Sequence, residues 1–282
     1  MNTSLYISAG ALQAFQQKID TSANNMANVN TPGFKRREQS FSEILASQIN
    51  NRGGGEETGR LTPSGIRVGY GVNAGMTQRD MSQGLAMETG NPFDLMIGGS
   101  GFFQIGTPSA NGNVTGTHYT RDGNFHLSPN PNGQGTYHLV HANGGYLLDQ
   151  DGNPIEFDSR HEVKIEANGQ IQLKNKQTGA ITLSNQRVGI ADIQNPHLLK
   201  NSGDNQYVLD ESVLPRGAVA GDYIRIMGAG ESKVSAGFLE GSNVDLAKEM
   251  TDMMATQRGY QMNSRAISYA DQMMGIANSI LK

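Results

Sequence analysis

The chain has 282 residues, a formal net charge of −4, a sequence pI of about 5.9 and no cysteine. That length allows one large domain or two modest ones with a real core. The slightly acidic balance leaves no electrostatic footprint for nucleic acid, and the missing thiols exclude disulfide scaffolds, Cys-ligated zinc and thiol catalysis.

The first predicted element is a helix over residues 3–28, roughly 40 Å long at the usual rise, with Thr3 or Ser4 as its cap. Leu5, Leu12, Ile19 and Met26 recur every seventh residue with Phe15 between them, a seam meant for another helix. Asn28, Asn30, Thr31, Pro32 and Gly33 signal its end. Ser40 and Glu43 form a capping-box pattern, and Phe41, Ile44, Leu45 and Ile49 share a side, which predicts a short helix over 41–49. The run from Asn50 to Glu57 reads as a loop, and the Ile66/Val68/Tyr70/Val72 alternation as a strand, so 50–85 is expected to be an extended arm or long hairpin.

From 86 to 238 the sequence predicts short strands between tight turns. The turn markers are Asn111-Gly112, Asp122-Gly123, Asn132-Gly133, Asn143-Gly144, Asp151-Gly152 and Asn168-Gly169. This pattern means an all-β sandwich or a partly closed barrel. A last helix is predicted over 243–281, capped by a Ser242/Asp245 box, with Leu246, Met253, Tyr260, Ile267, Met274 and Leu281 as its seam. Gly259 and Gly275 inside it suggest close approach of a neighbouring backbone. The fold class is therefore α+β: long N- and C-terminal helices pairing as a coiled coil, an all-β middle and a hairpin arm. The expected domains are 1–30 and 239–282 (the coiled-coil helices), 31–85 (the connecting arm) and 86–238 (the β domain).

Catalytic chemistry is not encoded in any recognisable pattern. No catalytic, cofactor-binding or metal-binding residue is expected, and no cofactor. His138 and His141 are three apart, which on a strand puts them on opposite faces, and both read as solvent-facing. Gly98-Gly99-Ser100-Gly101 lacks the Lys-Ser/Thr of a phosphate loop and precedes a strand. Met250, Met253, Met254, Met262, Met273 and Met274 fit adaptable helix packing better than a Cu(I) site. Lys35-Arg36-Arg37 reads as a solvated flank. No run is apolar for the ~18–20 residues of a membrane span. The start is not expected to be a cleaved secretory signal, because Gln16, Gln17, Lys18 and Asp20 interrupt its apolar residues.

Four segments carry a resemblance. They are Asn24-Asn25-Met26-Ala27-Asn28-Val29-Asn30-Thr31-Pro32-Gly33-Phe34-Lys35, Gly101-Phe102-Phe103-Gln104-Ile105, Tyr119-Thr120-Arg121-Asp122-Gly123-Asn124-Phe125, and Glu240–Asp245 joined to Gln257-Arg258-Gly259-Tyr260 and Asn263-Ser264. In this order they resemble the signatures of bacterial flagellar axial proteins of the rod and hook. Leu61–Val72 is similar to a segment of the distal-rod members. Gly259 departs from the alanine that relatives often carry there.

The resemblance implies a subunit exported through the flagellar type III apparatus without a cleaved signal, to an extracytoplasmic place in the basal body. It implies a homo-oligomeric helical polymer, a hollow rod whose inner tube is made of paired terminal helices, with rod and hook proteins as neighbours. Asn24, Asn25, Asn28, Asn30, Pro32, Gly33 and Phe34 are the expected junction residues, the asparagines serving either adjacent subunits or C-capping within one chain. The alternatives are a proximal-rod or hook subunit, a wall-cutting hydrolase, or a monomeric secreted β protein.

Overall fold

A computed structural model describes residues 2–43, 46–49, 66–69, 71–108, 114–130, 135–210, 212, 221, 223–228 and 230–280. The chain divides into two compact units, residues 1–27, 37–80 and 245–282 forming the first and residues 28–36 and 81–244 the second.

The first unit holds helix α1 (Asn2–Ala27), strands β1 (Arg37–Glu43), β2 (Ala46–Ile49), β3 (Ile66–Gly69) and β4 (Val72–Arg79), and helix α2 (Leu246–Ile280). β1 pairs antiparallel with β4 and β2 with β3, so Arg37 faces Arg79 at one end and Ile49 faces Ile66 at the other. Residues 50–65, where the sequence predicts the loop of an extended arm, lie outside the described residues. Where a helix is expected over 41–49, the described residues 41–43 and 46–49 are instead strand. Its capping-box letters were a local coincidence, overridden by pairing with a segment some thirty residues downstream. α1 packs along α2 and also against β1 and β4. The Phe15 ring meets the Phe41 ring edge-on at 5.6 Å, and Lys18 lies over Phe41.

α2 starts later than expected. Its cap is Asp245, whose Oδ1 accepts from the Ala247 and Lys248 N–H groups at 2.9 and 3.2 Å. Ser242 instead accepts from Val244 N, outside the helix. Gly259 does adjoin a neighbour, but the neighbour is a side chain: a Cβ there would stand 3.0 Å from the Phe15 ring. Gly275 faces open space.

The second unit is built from strands, in chain order β5 (Ala86–Glu88), β6 (Leu95–Gly98), β7 (Phe102–Pro108), β8 (Val114–Thr120), β9 (Phe125–Pro129), β10 (Thr136–His141) and β11 (Tyr146–Leu147). They continue as β12 (Glu156–Asp158), β13 (His161–Ile165), β14 (Gln170–Asn175), β15 (Ile181–Arg187), β16 (Ile190–Ile193), β17 (Leu199–Gly203) and β18 (Gln206–Leu209). β19 (Ile224–Ile226), β20 (Lys233–Ala236) and β21 (Phe238–Glu240) complete the set. The main sheet has ten strands: the path β12-β10-β11-β7-β8-β18-β17, with β9 beside β10, β16 beside β7 and β19 beside β16. A three-stranded sheet, β13-β14-β15, and the pairs β6–β20 and β5–β21 accompany it. Among the described residues the main sheet does not close into a barrel.

Alternation along β7 organises the interior. Phe103 and Ile105 enter the larger core with Leu95, Phe125, Leu139 and Ile171, while Phe102 on the opposite face joins Tyr119, Ile193 and Tyr207. The core thus joins residues of the ten-stranded and three-stranded sheets. His138 and His141 are both buried, correcting the solvent-facing expectation. His138 stacks on Tyr146, and His141 contacts Phe125 edge-on.

Candidate assembly site

The apolar seams predicted from the heptads are partly consumed inside the first unit. Leu5, Leu12, Phe15, Ile19 and Met26 are half-buried on α1, and Met253, Tyr260, Ile267 and Met274 half-buried on α2; Leu246 is exposed and Leu281 lies outside the described residues. The most buried positions of α1 are small or polar: Ser8, Ala11, Ala14, Ser22 and Asn25. Small side chains let neighbouring backbone come close, which a ladder of large apolar residues would prevent.

A second stripe on α2 escaped the sequence reading. Met262, Tyr269, Met273, Ile276 and Ile280 are 60–79% exposed. Their steps of seven, four, three and four residues place them on one helix face, and at 100° per residue that face is turned about 160° from the half-buried seam. The signal was available, since Met262, Tyr269 and Ile276 are themselves a heptad run. It was overlooked because the Met253/Tyr260/Ile267 ladder is continuous over a longer span.

Several residues of the expected junction motif have partners within the chain. Asn25 makes a two-way bond with the backbone of Arg37, its Nδ2 donating to the carbonyl at 2.8 Å and its Oδ1 accepting from the N–H at 2.9 Å. Thr31 donates from its N–H to the Asn28 carbonyl and from its hydroxyl to Asn28 Oδ1. Asn24 also has a partner, and Asn30 is exposed. Pro32 offers its carbonyl to Asn205 Nδ2 at 3.0 Å, Gly33 N–H donates to the Glu240 carbonyl at 2.8 Å, and Phe34 is buried. Gly33 has a φ of +68°, and a Cβ there would come within 2.5 Å of Asp122 N, so only glycine fits.

In the second unit three of the sequence motifs meet at one carboxylate. Glu240 Oε1 accepts from Lys35 Nζ at 2.7 Å and from Gly84 N–H at 2.9 Å, and Oε2 accepts from Arg121 at 3.2 Å. Lys35 also donates to the Ser82 carbonyl, and Arg121 to the Gly99 carbonyl while lying over the Phe102 ring. All three side chains are at most 4% exposed. Lys35 is therefore no solvated flank: its ammonium is taken out of water and paired. Burial pulls the Arg121 pKa below its ordinary value, and Glu240 opposes that shift. One residue on, the Arg36 N–H donates to Asn243 Oδ1 at 2.7 Å, and Asn243 Nδ2 donates to Ser82. This clasp ties the segment after α1 to the segment before α2 and to the β8–β9 turn.

Three family models match: "Flagella basal body rod protein" over residues 5–35, "Flagellar hook protein FlgE/F/G D1 domain" over 96–182, and "Flagellar basal body rod FlgEFG protein C-terminal" over 235–280. The flagellar hook-basal body complex protein FlhP of Bacillus subtilis is 32% identical over 99% of this chain and 100% of its own length. The flagellar basal-body rod protein FlgG of the same organism is 34% identical over 97% of each chain. The FlgG of Borreliella burgdorferi is 33% identical over 99% of each.

The chain belongs to the flagellar basal-body rod protein family. Rod-family membership makes it a structural protein of the flagellum and not an enzyme. Among the described residues no group of three His, Asp or Glu side chains is arranged to hold a metal, and no helix is long and apolar enough to cross a membrane. The clasp and the α2 stripe are thus features of a rod-family subunit, one holding the fold and the other facing outward.

Proposed function

We propose that this chain is a distal-type subunit of the flagellar rod, which stacks helically with its own copies into a hollow shaft carrying torque from motor to hook. α1 and α2 pair as a coiled coil in the inner tube, and the β unit forms the outer layer. The subunit is exported through the type III apparatus without a cleaved signal and meets other rod and hook proteins at the ends of its polymer. The observation that carries this reading is the uncovered stripe Met262, Tyr269, Met273, Ile276 and Ile280. Each such side chain contributes ~1.5–3 kcal/mol when fully buried, a gain realised only when another helix covers the stripe.

The test is Met273→Asp with Ile276→Asp in the full chain. Both residues are exposed, so thermal unfolding of the monomer stays as in the wild type while sedimentation and electron microscopy lose the polymer. A doubly substituted chain that polymerises normally refutes the role of the stripe. Labelled subunits located toward the hook end of isolated basal bodies support the distal assignment; labels confined to the motor end make the subunit proximal.

A further inference from the structure

The second unit carries a cleft that the shaft reading leaves unused. It has a volume of about 630 Å³, within the range of ligand sites. Its floor is apolar and aromatic, made by Phe93, Leu127, Tyr137, Phe157 and Val163. Its rim holds two acids and two lysines, but the acids are committed: Asp158 is bonded to Arg160, and Glu162 pairs with Lys174 at 3.6 Å. The Lys164 ammonium has no partner among the described residues, and the Lys176 ammonium donates only to the Ser159 carbonyl. His161, also in the lining, keeps a buried Nδ1 without a partner. The cleft therefore suits an apolar body that carries a carboxylate.

The same unit presents such a group elsewhere. Leu85 is 82% and Met87 47% exposed, and Glu88 beside them is exposed with no side-chain partner among the described residues. β5 is pinned to β21 by the pairs Phe238–Glu88, Leu239–Met87 and Glu240–Ala86, and it contributes nothing to the lining of the chain's own cleft. We infer that the cleft receives the Leu85–Glu88 ridge of a second copy of this chain, with Glu88 set against Lys164 and Lys176. Ridge and cleft are different patches, so the contact is heterologous and propagates from copy to copy instead of closing a dimer. The inference rests on the self-assembly reading above and adds a contact between β units to it.

The absence of cysteine from the chain supplies the test. Full-length Leu85→Cys and Leu127→Cys variants are mixed under polymerising conditions and treated with a short bismaleimide. Ridge-in-cleft docking gives a mixed dimer on a denaturing gel, and little product from either variant alone. Lys164→Glu in the Leu127→Cys chain lowers that yield about tenfold, and Glu88→Lys in the Leu85→Cys chain recovers it. Ile181→Cys, an exposed apolar site outside the cleft lining, serves as the control. Polymer without the mixed product, or with equal coupling of Leu127→Cys to Ile181→Cys, overturns the docking and leaves the shaft reading standing. A wild-type chain that never polymerises overturns both.

Discussion

Replacing Glu240 by Gln tests whether the buried clasp holds the β unit together. The carboxylate is paired with Lys35 at 2.7 Å and Arg121 at 3.2 Å, with all three groups at most 4% exposed. At an effective dielectric of about 20, each attraction is on the order of 5–6 kcal/mol before desolvation. Desolvation of three ions offsets most of that, so the clasp as a whole adds little over an apolar core. Removing only the anion is a different perturbation. Two buried cations then face each other without compensation, and the Gln amide turns a donor toward one of them. The expected loss is about 3–5 kcal/mol. Lys35→Met, which leaves the Arg121–Glu240 pair intact and supplies similar apolar length, should cost clearly less, about 1–3 kcal/mol. Urea unfolding of the full chain, followed in the β-sheet region of the circular dichroism spectrum, measures both. The reasoning is refuted if the Glu240 variant loses under 1 kcal/mol, or if Lys35→Met costs as much as Glu240→Gln.

Three further outcomes are expected. Asn25→Ala deletes both bonds to the Arg37 backbone at a site 1% exposed, which should cost about 2–3 kcal/mol in the same assay; no change would mean solvent replaces those bonds. Gly259→Leu drives a side chain into the Phe15 ring and should lower helix stability by about 1–3 kcal/mol in thermal melts, whereas Gly275→Leu, facing open space, should not lower it. Hydrogen bonds from Arg160 hold the Asp158 carboxyl down at about 2 against an ordinary 3.8. The folded value is the lower one, so the contribution of this group is present above 3.8 and lost as pH falls through about 2. In a carbon-detected NMR titration Arg160→Ala should move the midpoint back toward 3.8, and an unmoved midpoint contradicts the pairing.

Elements with purely local causes were legible in the sequence. α1 ends at Ala27, just ahead of the Asn28–Gly33 signals, and Asp122-Gly123, Asn143-Gly144, Asp151-Gly152 and Asn168-Gly169 each fall between consecutive strands. Asn111-Gly112 and Asn132-Gly133 lie outside the described residues. What escaped depended on distant partners. β1 imitates a helix start until Val72–Arg79 pairs with it. Lys35 resembles any surface lysine in a basic run, because its acid stands 205 positions away. His138 and His141 obey the strand alternation, yet main-sheet neighbours bury both, and no single-strand pattern reveals what covers its second face. The α2 stripe was hidden for the opposite reason: two apolar ladders share one helix, and periodicity alone does not say which is used inside the subunit.

The position of Glu240 along the chain has a consequence for synthesis. A ribosome has already released Lys35 and Arg121 long before it reaches this acid, which follows Lys35 by 205 residues. Until then the nascent polypeptide holds the Lys35 ammonium and the Arg121 guanidinium without the carboxylate that pairs them in the folded unit. The clasp can therefore close only in the last stretch of translation, and a truncated product ending before residue 240 lacks it.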